Sequence, residues 1–128
     1  MEALKSDGRV KAFKATDAFA VEAYRAVTSM HKRMGTGLAE EIRRTVVAAG
    51  GAIVAASACG AGDDSERAYL RRARTALFES RYYLHLARRF GWLDAKRYRA
   101  LTLRQDAAVR ELNSLLEGSN GSAGRAPP

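Results

Sequence analysis

The chain has 128 residues, with 47% apolar and 28% charged side chains, the proportions of one packed globular domain rather than a disordered chain. Twenty-two lysines and arginines against 14 aspartates and glutamates leave a net charge of +8, which favours acidic or phosphate-bearing partners. A single cysteine, Cys59, excludes an intramolecular disulfide and any multi-cysteine metal site.

Both prolines stand at the extreme C-terminus, so nothing earlier interrupts a helix. Glycine clusters punctuate the rest at Gly35-Thr36-Gly37, at Gly60-Ala61-Gly62 and at Gly91, and the segments between are too long for strands. A first helix is predicted near 12–34, with Phe13, Ala20, Tyr24, Val27, His31 and Met34 inward and Phe19, Ala23, Ala26 and Met30 widening the stripe. A second, near 38–58, turns Leu38, Ile42, Val46, Ala49, Ile53 and Ala56 inward. Gly50-Gly51 inside it costs roughly 1.6–2 kcal/mol relative to alanines, and the flanking alanines point to a neighbouring helix packed too closely for a side chain.

The third helix, near 64–90, has Asp63, Asp64 or Ser65 for an N-cap and Gly91 for a stop. Tyr69, Leu70, Ala73, Ala76, Leu77, Ser80, Leu84 and Ala87 form its predicted core stripe. Asp94 caps a fourth, near 94–117, with Tyr98, Leu101, Ala108, Leu112 and Leu115 inward. Residues 118–128, rich in glycine, serine and proline, are expected to be a disordered tail. The fold class is therefore all-α: residues 1–117 as an up-down-up-down four-helix bundle.

No catalytic constellation is legible. The two histidines, His31 and His85, have no carboxylate three or four residues away, and a di-iron bundle would need Glu-x-x-His pairs on two helices. Neither glycine turn has the lysine and preceding strand of a phosphate-binding loop. No cofactor and no metal are expected. Glu79 reads as an ion-pair partner for Arg72 or Arg44.

Charge carries the functional signal. The third helix holds seven arginines against three acids over Asp64–Phe90. At ~100° per residue, Arg67, Arg71, Arg74, Arg81, Arg88 and Arg89, together with Phe78 and His85, share a sector of about 100°, while the core stripe occupies roughly 160–300°. Arginines with an interleaved aromatic suit phosphate binding and base stacking, so these eight are the candidate nucleic-acid-binding residues, expected to face away from the core with too few acids nearby to neutralise them. A second stripe, Tyr82, Leu86 and Phe90, is the candidate subunit interface. Trp92 reads as a lid on the core.

Three stretches carry a family likeness. They are Gly37-Leu38 with Glu41-Ile42-Arg43-Arg44, then Arg74-Thr75-Ala76-Leu77-Phe78-Glu79-Ser80, then Leu86-Ala87-Arg88-Arg89-Phe90-Gly91-Trp92-Leu93. In order and spacing they resemble the bacterial four-helix-bundle proteins encoded in intervening sequences of 23S ribosomal RNA genes, a family that includes the accessory variability determinant of diversity-generating retroelements. The likeness spans roughly Lys11 to Leu116. One departure is clear: where the family has Asn and Glu in its Ser-Ile-Pro-x-Asn-Ile-Ala-Glu-Gly segment, this chain reads Ala48-Ala49-Gly50-Gly51-Ala52-Ile53-Val54-Ala55-Ala56.

The resemblance implies a homopentameric barrel and a basic, non-enzymatic accessory protein that binds RNA or DNA and a reverse transcriptase. The alternative is a protein–protein interaction scaffold without nucleic-acid binding. The longest weakly polar run, Thr45–Ala58, falls short of the ~20 apolar residues of a bilayer span, and Glu2, Lys5 and Asp7 argue against a signal peptide. A cytoplasmic protein with no membrane partner is expected.

Overall fold

The computed structural model of the protein describes residues 7–30 and 36–124, with side chains over 7–30 and 37–118. Four helices, α1 (Asp7–Met30), α2 (Thr36–Ser57), α3 (Asp64–Arg89) and α4 (Ala95–Gly124), and no strand make up these residues. α1 and α3 each pack against both α2 and α4, most extensively between α2 and α3.

Cross-helix contacts set the directions. Arg43 near the start of α2 lies over the Tyr24 ring near the end of α1, 5.5 Å from its centroid. Arg97 at the start of α4 donates to Ser29 Oγ at the end of α1 (3.1 Å). Along α3, Arg74 and then Arg81 meet Asn113 and then Asp106, in reverse order, on α4. Consecutive helices therefore run antiparallel, as in an up-and-down bundle.

Local chemistry explains the ends of α3. Asp63 occupies the N-cap without capping it; its carboxylate instead accepts from the Gly60 N–H at 3.0 Å. Glu66 reaches back to accept from the Gly62 N–H at 3.1 Å, and Gly62 has φ +84°, a conformation that favours glycine. At the other end Gly91 has φ +77°. Its N–H bonds the Arg88 carbonyl, and the Trp92 N–H bonds that of Ala87, which is the paired closure of a Schellman motif. Asp94 does cap α4, accepting from the Arg97 N–H at 2.7 Å.

The core stripes of α2 and α3 largely lie where periodicity puts them: Ile42, Val46, Ala49, Ile53 and Ala56 are buried, as are Leu70, Ala73, Ala76, Leu77, Ser80, Leu84 and Ala87, while Leu38 and Tyr69 are only half-buried against the core. α1 is rotated from its expected setting. Phe19, Ala23, Ala26, Val27 and Met30 are buried with Ala12 and Thr16, while Tyr24 is exposed, because a hydroxyl-bearing ring near a helix end is accommodated beside Arg43 at the surface. His31, Met34 and Gly35 lie outside the described residues. α1 begins at Asp7, ahead of the expected start, with that acid in its first turn. α4 continues to Gly124 instead of stopping at Glu117; every residue from 118 to 124 keeps its backbone N–H, since proline first occurs at Pro127.

Gly50-Gly51 corrects another expectation. A Cβ added at either glycine meets nothing within 4 Å, so no helix of the same chain demands glycine there. Gly51 belongs to the outer face of α2, where Val47 and Ala48 are also exposed, and from Thr45 to Gly62 the chain contains no Lys, Arg, Asp or Glu.

Candidate nucleic-acid interface

The eight residues of the arginine sector divide in the structure. Arg74 Nη1 donates to Asn113 Oδ1 at 2.8 Å, and Arg81 Nη1 donates to Gln105 Oε1 at 3.1 Å and Asp106 Oδ1 at 2.6 Å. Both are thus tied to α4 and half-buried, so the expectation that the sector faces away from the core does not hold for these two. The reason is geometric: a helix in a bundle is flanked on two sides, and α4 covers the edge of the sector nearest the core. Buried Gln105 anchors the clasp by donating to the Leu77 carbonyl, which also accepts from Ser80 Oγ at 2.7 Å. Arg67 lies between exposure and burial.

The other members stand clear. Arg71, Phe78, His85, Arg88 and Arg89 are exposed, Phe78 to 54%. Tyr82, expected at a subunit interface, rises in the same ridge at 57% exposure, with its ring stacked near His85 (centroids 6.3 Å apart, planes at 26°). Arg71, Phe78, Tyr82, His85 and Arg89 therefore form one outward line, opposite the buried stripe. The rest of the proposed interface separates from it. Leu86 is half-buried, and Phe90 is 60% exposed with its ring 4.8 Å from that of half-buried Trp92. At the rim of the ridge, Arg72 covers the Tyr69 ring, 5.1 Å from its centroid.

Toward α2, Glu41 and Arg44 form an ion pair at 2.7 Å. The Arg44 hydrogen bond, with a smaller contribution from Tyr83, holds the Glu41 carboxyl below the usual range and is reciprocated by an upward shift of Arg44. Glu79, exposed on α3, makes only the smallest contribution to that shift through space; the ion pair with Arg72 or Arg44 expected for it is not formed among the described residues.

A cleft of about 640 Å³ lies at the other end of the bundle among the Ser57–Gly62 turn, Arg9, Glu66, Leu70 and Leu115. Glu66 is committed there to Arg9 and the Gly62 N–H, which suits holding the ends of α1 and α3 together. Half-buried Cys59 donates to the Ala55 carbonyl at 3.7 Å. Among the described residues no group of three or more His, Cys, Asp or Glu is placed to hold a metal ion, and no helix is long and apolar enough to cross a membrane. Sequence spacing missed Asn113, Gln105 and Asp106, whose only advance signal is an amide or acid at the boundary of an otherwise apolar stripe.

No family model, curated protein or solved structure gives a significant match to this chain.

Proposed function

We infer that the protein is a non-enzymatic nucleic-acid-binding accessory protein whose contact surface is the outward ridge of α3. The supporting observation is that ridge: exposed Arg71 and Arg89 bracket exposed Phe78, Tyr82 and His85 along one helix face. Guanidiniums hold phosphates without reading sequence, and rings between them offer bases a stacking platform. Single-stranded RNA or DNA is the natural ligand for that combination, since duplex bases are already stacked. The resemblance to retroelement accessory proteins supplies the expected company, a reverse transcriptase, and the cytoplasm as the compartment.

The same reading includes a homopentamer. A fivefold assembly raises the charge to roughly +40, which strengthens salt-sensitive attraction to a polyanion. The uncharged outer face of α2, with Val47 exposed to 62% and Gly51 open to close approach, suits contact with a second copy better than the Tyr82–Leu86–Phe90 stripe. That face also favours the second reading, a protein-interaction scaffold without nucleic-acid binding.

Mobility-shift titration against single-stranded RNA, single-stranded DNA and duplex DNA at several salt concentrations tests the main reading. Tighter binding to single strands, with log affinity falling linearly in log salt, is expected. A folded protein that shifts none of the three leaves the scaffold reading in place. Light scattering should give about 70 kDa for the cyclic assembly, against a monomer of 13.9 kDa.

A further inference from the structure

The α3–α4 clasp has a regular register, and its last step has a different chemistry from the others. Arg74 meets Asn113, and seven residues on along α3 and seven back along α4 Arg81 meets Asp106. One further step of the same antiparallel register sets Arg88 opposite Arg99, close to the turn that joins the two helices. Both are exposed, and neither side chain has a hydrogen bond or ion pair among the described residues. No residue one turn before or after either of them on its own helix is acidic; His85 and Lys96, both exposed, add cationic or donor character instead. Asp106 belongs to the preceding rung and is engaged by Arg81. Asp94 is engaged in capping α4.

Two arginines that this register places at facing positions of an antiparallel helix pair, neither of them ion-paired among the described residues, are suited to a tetrahedral oxyanion. Each presents a planar fork of donors, and a phosphate has enough oxygens to accept from both. We propose that Arg88 and Arg99 form a two-arginine clamp for a single phosphate group, contributed by the backbone of a single-stranded nucleic acid. The source of the phosphate rests on the nucleic-acid reading above; the clamp itself rests on the helix register. Arg88 lies next in sequence to Arg89 of the outward ridge, so a strand stacked along Phe78 and Tyr82 leads to the clamp. Arg99, outside every stripe read from spacing along α3 alone, becomes a binding residue.

Two measurements on the full chain separate the clamp from the reading beneath it. The first uses inorganic tripolyphosphate and follows arginine Nε–Hε resonances by NMR. The signals of Arg88 and Arg99 should move together along one binding curve, and Arg99→Gln should abolish the movement at Arg88. Equal movement at all exposed arginines, or an undisturbed Arg88 response in the variant, overturns the clamp.

The second measures the salt dependence of binding to an oligouridylate for the wild type, R88Q, R99Q and the double variant. One shared phosphate predicts that the double variant loses about 0.7 of the log–log slope. Two independent phosphate contacts predict a loss of about 1.4, from an additive cycle. An additive cycle overturns the clamp while nucleic-acid binding stands. Joint tripolyphosphate shifts without oligouridylate binding retain the clamp for phosphate and overturn its assigned source. All three variants replace exposed side chains, so unchanged melting temperatures are the expected control.

Discussion

The two sides of α3 carry the same residue type in different circumstances. On the flank turned to α4, Arg74 and Arg81 spend their donors on Asn113, Gln105 and Asp106, whereas on the outward ridge Arg71 and Arg89 stand exposed beside Phe78, Tyr82 and His85. Counting arginines therefore overstates the charge on offer to a ligand. A tethered guanidinium would have to break a charge-assisted bond to bind a phosphate, and the acid beside it weakens the local field. An outward one has only its water to exchange. The first flank joins two helices; the second is the surface from which the nucleic-acid reading draws its support.

Charge reversal gives the largest expected contrast between these flanks. Replacing Arg71 and Arg89 together by Glu should lower affinity for single-stranded nucleic acid on the order of a hundredfold and flatten its salt dependence, since phosphate contacts turn into repulsion. The unfolding free energy should stay within ~0.5 kcal/mol, as for other exposed substitutions. Undiminished affinity in this folded variant would show that the ridge is not the contact surface.

Gln105→Ala should invert that pattern. It leaves the buried Leu77 carbonyl with one donor fewer and Arg81 with one acceptor fewer, so a loss of ~1–3 kcal/mol in denaturant unfolding is expected, with the salt slope of binding preserved. Loss of binding without loss of stability would mean that the clasp itself faces the ligand.

A smaller effect of opposite sign is expected on α2. Gly51→Ala places a methyl in open space and should stabilise the isolated bundle by ~0.4–1 kcal/mol. If a second copy packs on that face, the substitution should also weaken the oligomer, which sedimentation over a concentration series would register. Stabilisation with unchanged assembly would remove the glycine face from the interface.

The smallest effect concerns Glu41, whose carboxyl is lowered by Arg44. A carboxyl with a depressed folded-state pKa contributes stability at pH above its ordinary range and loses it as pH falls through the depressed value. In an acid-unfolding series, Glu41→Gln should therefore be slightly less stable than the wild type near neutrality, with the difference vanishing as pH falls through the depressed value, so its stability changes less steeply on the acid side. Because the pair is at the surface, the effect should fade in high salt.

Much of the fold was legible because helices announce themselves locally. Three- and four-residue apolar spacing on α2 and α3, Asp94 before α4 and Gly91 after α3 are properties of neighbouring residues, and each reappears in the burial and backbone geometry. The setting of α1 was less legible, since Phe13, Phe19 and Tyr24 make two overlapping stripes, and only packing chooses which is buried. For the site, spacing along α3 placed arginines and aromatics in a common sector but was silent on what flanks it. Asn113 lies 39 residues beyond Arg74, and Asp106 25 beyond Arg81; no helical period connects positions so far apart.

By itself, then, the amino-acid sequence determined a basic all-helical chain and the inner faces of two of its helices, because backbone hydrogen bonding and side-chain period act within a few residues. Tertiary structure alone decided which arginines remain available, that Tyr82 joins the Phe78–His85 ridge, and that Gly51 lies open. Those outcomes depend on which helix covers which flank, and that is set by the packing of whole faces against one another.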